Sequence, residues 1–109
     1  MMDTRDLKTF EVKEKVFDKA VKGFWNHVNS WKKEEPASFL EAFKTFDISV
    51  VKLERERIAL VINYRFDHPI EYVQATLNVI LDERLIAQYH YLSTLEGEVM
   101  DDVLSFEDK

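Results

Sequence analysis

Through the first third of the chain, apolar residues recur every three or four positions. Leu7, Phe10, Phe17, Val21, Phe24, Val28 and Trp31 fall on one line, with Glu14 the single polar member. Val16, Ala20 and Trp25 widen that line to the breadth of a core-facing stripe, so one long helix is predicted over about residues 4–33. Glu11–Lys15 and Asp18–Lys22 support it as i,i+4 ion pairs. Phe10 and Val12 alternate with charges, which keeps a short strand at 7–12 as an alternative. Glu34-Glu35-Pro36 ends the helix, because the residue before proline disfavours the helical region. Ser38 and Glu41 then read as a capping box for a second, short helix with Phe39, Leu40, Phe43 and Phe46 on its apolar side.

After Phe46 the period falls from 3.6 to 2. Strands are predicted at 47–53, 57–66, 71–81 and 85–93, joined by links too short for anything but an antiparallel meander. Ile58, Leu60, Ile62, Tyr64 and Phe66 share one side, as do Val73, Ala75, Leu77, Val79 and Leu81, and Leu85, Ala87, Tyr89 and Tyr91. Keeping these sets on one face pairs Phe66 with Glu71 and Leu81 with Leu85. It also sets Asn78 across from Gln88 and Thr76 across from His90. A one-residue slip would turn Gln88 and His90 into the core. The tail from Leu95 spaces Leu95, Val99, Val103 and Phe106 in a near-helical manner, which predicts a short C-terminal helix. The expected fold is α+β: N-terminal helices packed on one face of a four-stranded antiparallel meander, with a short C-terminal helix.

Composition narrows the possibilities. A chain of 109 residues is one domain, 1–109, and its 46% hydrophobic content is enough for a core without staples. The absence of cysteine excludes disulfides, thiolate catalysis and cysteine zinc sites, and fits a reducing, cytoplasmic setting. The start is polar and no apolar run approaches the ~20 residues of a membrane helix, so no membrane association is expected. A formal charge of −6 repels phosphate backbones, so no nucleic-acid partner is expected either. The lysines of the first third alternate with acids, as on a solvated helix face.

Chemistry-bearing motifs are sparse. His27, His68 and His90 fall on three different elements, without the convergent spacing a metal needs. Asp82-Glu83, Asp101-Asp102 and Glu34-Glu35 read as solvated carboxylates of turns and tail, where no shielded pocket shifts their acidity. Neither glycine sits in a phosphate-binding loop, and no serine sits in a nucleophile elbow. No catalytic residue, cofactor or metal is therefore assigned; whether the chain is an enzyme stays open, with the balance towards a non-enzyme.

Two surfaces remain as candidates. Trp25, Tyr64, Tyr89 and Tyr91 could wall a pocket between helix and sheet for an apolar or aromatic ligand, as a binder or simple enzyme; the alternative is that these rings fill the core. The outer sheet face carries Arg65, Tyr72, Gln74, Thr76, Asn78, Gln88, His90 and Leu92, too apolar for water alone and too polar for a core. It suits a protein partner or a second copy in a homodimer. The order of elements resembles the cone-shaped nuclear-transport-factor-like folds; a strand at 7–12 would instead resemble the cystatin-type grip of a sheet around one helix. That resemblance implies a fold and assigns no residue a role. The expected function is a small acidic interaction or regulatory module acting through its sheet face.

Overall fold

The computed structural model describes residues 3–65 and 67–107. Among them are three helices, α1 (Thr4–Lys13), α2 (Val16–Glu34) and α3 (Pro36–Phe43), and a 3-10 turn (Ile48–Val50). Four strands follow, β1 (Lys52–Asn63), β2 (Ile70–Leu81), β3 (Arg84–Ser93) and β4 (Val99–Phe106). They form one antiparallel sheet in the order β1-β2-β3-β4, so β1 and β4 are its edges.

The long helix is interrupted at the one polar residue on its stripe. Asp3 caps α1, accepting from the Asp6 backbone N–H at 2.9 Å. Lys15 then adopts a left-handed conformation (φ 52°) and α2 restarts at Val16. A straight helix would drive the Glu14 carboxylate into the core. The joint lets it lie instead near Lys19, whose Nζ is 3.9 Å away and also donates to the Gly97 carbonyl at 2.8 Å. Residues 7–12 are helical, which removes the condition for a cystatin-type grip.

The second helix starts at Pro36, not at Ser38. Proline suits the first helical position, where its missing N–H is no loss, so the Ser38–Glu41 capping box does not form. Ser38 Oγ instead accepts from Trp31 Nε1 at 3.3 Å. The helix stops at Phe43 with Lys44 left-handed (φ 65°), leaving Phe46 outside it.

The predicted strand at 47–53 is absent as such. Asp47 accepts from the Ser49 backbone N–H at 3.1 Å and folds residues 48–50 into the 3-10 turn. β1 then runs unbroken through Glu54-Arg55-Glu56-Arg57, with a register shift between Arg55 and Arg57. A charged run is tolerated because β1 is an edge, where charge discourages unwanted pairing. Phe66 lies outside the described residues, and Glu71 pairs with Ile62. Between β2 and β3 the expected Asn78–Gln88 and Thr76–His90 pairs are present. The turn is tighter than expected: Asp82 and Glu83, both at positive φ (51° and 63°), form a two-residue link, so Leu81 pairs with Arg84. A register shift between Val79 and Ile80 restores the core parity. In consequence Leu85 pairs with Ile80 and is exposed, while Ile86 packs against the core.

The C-terminal segment is a strand, not a helix. β4 pairs Asp102, Leu104 and Phe106 with Tyr91, Tyr89 and Ala87. A period of two places Leu104 and Phe106 against the core, where Phe106 meets Phe43 edge-on at 5.3 Å and Trp31 at 5.9 Å. The core joins Val16, Phe17, Ala20, Phe24 and Val28 of α2 and Phe39 and Phe43 of α3 to Ala75, Leu77, Val79, Ala87, Tyr89 and Tyr91. It draws nothing from Gln74, Thr76, Asn78, Gln88 or His90, which define the opposite, outer side of the sheet.

Candidate functional site

Two networks of side-chain hydrogen bonds order the outer face. Gln88 Nε2 donates to Asn78 Oδ1 at 3.0 Å, and Asn78 Nδ2 donates to Glu56 Oε1 at 2.7 Å. Beside this chain, His90 Nδ1 lies 3.0 Å from Thr76 Oγ1 and 3.2 Å from Gln74 Nε2. An amide nitrogen only donates, so Nδ1 accepts and the neutral imidazole fits. Burial first, and then the positive charge of Arg57, push the His90 pKa below its ordinary value.

Apolar side chains fill the gaps of this polar lattice. Tyr72 is buried, Thr76 is 0% exposed, and Ala59, Val61, Ile80 and Leu92 are half-buried. Of the eight residues expected on this face, Tyr72, Gln74, Thr76, Asn78, Gln88, His90 and Leu92 lie together on β2 and β3. Arg65 does not join them. It follows the end of β1, exposed, with its backbone N–H donating to Asn63 Oδ1 at 2.9 Å.

The four aromatic residues expected around a helix–sheet pocket are scattered. Tyr64 is 74% exposed beyond β1, whereas Tyr89 and Tyr91 are buried on β3 and Trp25 packs edge-on against Phe24 at 5.0 Å. The space beneath α2 is filled at Tyr89, whose ring meets Phe24 at 5.7 Å. Its hydroxyl reaches so far towards the helix that a Cβ on Gly23 would sit 2.6 Å from it.

That hydroxyl donates to Asp102 Oδ2 at 2.7 Å, and the same oxygen lies 3.3 Å from His27 Nδ1. Burial and the bond to Asp102 keep the Tyr89 hydroxyl protonated, with its pKa well above the usual phenolic range. Burial, then the Asp102 charge, raises Tyr91 as well. Sequence reasoning missed this junction because it read Asp102 as part of a solvated tail. The alternation Asp102, Leu104, Phe106 was the available signal.

A cleft also opens between α3, the β2–β3 turn and the end of β4, with a volume of about 630 Å³. Trp31, Phe43, Ile86 and Phe106 form its apolar lining, and Lys44 and Arg84 are among its polar residues. It depends on β4 and so was not foreseen. Among the described residues, no helix is long and apolar enough to cross a membrane. Compared with family models, curated proteins and solved structures, the chain matches none.

Proposed function

We propose that this protein is a cytoplasmic interaction or regulatory module that receives another protein, or a second copy of itself, on the outer face of its sheet. What supports the reading is the hydrogen-bonded lattice Glu56–Asn78–Gln88 and Gln74–His90–Thr76. Its side chains are already immobilised, so docking on them costs less rotamer entropy than docking on a free surface. Val61 and Leu92, both half-buried, supply apolar contact between the polar groups, the mixture seen at non-obligate interfaces.

The test is a photoreactive side chain at Gln88 in the intact protein, irradiated in cells. The expected result is a discrete adduct, identified by mass, that disappears when Leu92→Glu is added on the same face. An adduct at twice 13.0 kDa identifies a second copy as the partner. No adduct at Gln88, or one indifferent to Leu92→Glu, refutes the reading.

The cleft favours a second reading, a pocket for a small apolar or aromatic ligand, since its volume falls in the range of ligand sites, ~300–1,000 Å³. Titration with an anilinonaphthalene sulfonate probe, followed by nuclear magnetic resonance, should shift Trp31 and Phe106 signals saturably. Shifts spread over the whole chain, or none, would sink it.

A further inference from the structure

The two halves of the edge strand β1 differ in character. Five of the six residues Lys52–Arg57 are charged, Leu53 being the exception. The five that follow, Ile58-Ala59-Leu60-Val61-Ile62, are all aliphatic. The other edge has no such run, because Asp101 and Asp102 interrupt β4 and its pairing shifts register between Leu92 and Ser93. Bare aliphatic edge strands are open to pairing with another chain, and proteins ordinarily block them with charge, proline or a covering element. The charged half of β1 is protected in this way and the aliphatic half is not. Among the described residues, β1 pairs only with β2, and no further backbone hydrogen bond reaches 58–62. On the helix side of the same stretch, Leu60 is 36% and Ile62 47% exposed.

We infer that two copies of this chain join antiparallel along residues 58–62 of β1, making one continuous eight-stranded sheet. A two-fold axis at Leu60 sets Ile58 against Ile62 and Ala59 against Val61 of the partner, and Leu60 against its own counterpart. Side-chain parity is kept, so Ile58, Leu60 and Ile62 of both copies meet on the helix side, and Ala59 and Val61 meet on the outer side. Arg57 then stands opposite Asn63, with no like charges facing each other between them. With a formal charge of −6 per copy, mutual repulsion favours contact through an uncharged segment. A second copy fits better than an unrelated strand because it presents the same aliphatic run in reverse. The contact is short and falls at the small end of protein interfaces, below ~1,200 Å², so the dimer is concentration-dependent. The pairing leaves the polar lattice of both outer faces uncovered and side by side.

Sedimentation of the intact protein across a concentration series tests this, with far-ultraviolet circular dichroism to check folding. The expected result is a shift from 13.0 kDa towards twice that mass, weakened at least tenfold by Leu60→Lys or Ile62→Lys and unchanged by Val12→Lys on the exposed side of α1. Because the chain contains no cysteine, Leu60→Cys adds an independent readout. On the axis it faces itself and should form a disulfide dimer under mild oxidation, whereas Val103→Cys should not. A monomer at every concentration, or a dimer that tolerates both lysines and leaves Leu60→Cys unlinked, overturns the inference. A dimer linked through Val103→Cys and not Leu60→Cys also overturns it, and moves the self-contact to the outer face.

Discussion

Replacing Gly23 by alanine places a methyl group where α2 leaves room for the Tyr89 hydroxyl. On an exposed helix the change would stabilise by about 0.5–1 kcal/mol, because glycine loses more backbone freedom on folding. Here the new Cβ would lie 2.6 Å from Tyr89 Oη, on a ring that is fully buried and held at its far end by Asp102. Neither helix nor ring yields freely, and overpacking of this kind costs about 1–3 kcal/mol. The net expectation for Gly23→Ala is a loss of about 0.5–2 kcal/mol, a fall of several degrees in Tm for a domain of this size. Tyr89→Phe removes the obstructing oxygen. The nearest ring carbon is then 3.6 Å from the added Cβ, an ordinary contact. Alone, Tyr89→Phe costs about 1–2 kcal/mol, from a charge-assisted hydrogen bond whose carboxylate is partly solvated and can turn to water. In that background Gly23→Ala should change sign and stabilise, giving a coupling energy of about 1–3 kcal/mol. Urea unfolding of the four proteins, followed by circular dichroism, measures the cycle. If Gly23→Ala has the same effect in both backgrounds, within ~0.5 kcal/mol, the hydroxyl is not what excludes a side chain at position 23.

Two further outcomes follow from groups already described. His90 has a depressed folded-state pKa, so the stability it contributes is present above about pH 6.5, its unfolded value, and is lost as pH falls towards the folded value. His90→Gln, which cannot titrate, should flatten the loss of stability between about pH 7 and 5; an unchanged pH profile would refute the assignment. Gly97 sits at φ +91°, and a side chain there would also overlap the Glu14 carboxylate. Gly97→Ala should therefore cost about 1–3 kcal/mol in urea unfolding, and adding Glu14→Ala should recover the overlap but not the backbone strain. Full recovery would contradict this division.

Those elements whose evidence was local were legible in the sequence. Val73, Ala75, Leu77 and Val79 alternate without interruption, and only one parity keeps His90 and Gln88 out of the core, so the pairing of Thr76 with His90 could be derived. The outer-face residues of β2 and β3 came with it. The break at Glu14 was marked by its polarity but not by its geometry, because a left-handed lysine has no propensity signature. β4 was misread for a different reason. Leu95, Val99, Val103 and Phe106 fit a helical period, while its strand character is imposed by Tyr89 and Tyr91 across the ladder, a non-local term. The link expected over Glu54 to Glu56 is instead part of an edge strand, where its charge discourages unwanted pairing. The Tyr89–Asp102–His27 junction and the cleft beside Phe106 both depend on β4 and were lost with it.

The left-handed joint at Lys15 separates two helices of unequal burial. α1 contributes no fully buried residue; Phe10 rests on the core, and Glu11 reaches Arg55 at 3.9 Å. α2 supplies Val16, Phe17, Ala20, Phe24 and Val28 to the core, and its Phe24 ring meets Tyr89. The amino-terminal ten-residue segment is thus more lightly held than the helix that follows it. Its amide hydrogens should exchange faster than those of α2, because less buried contact holds them.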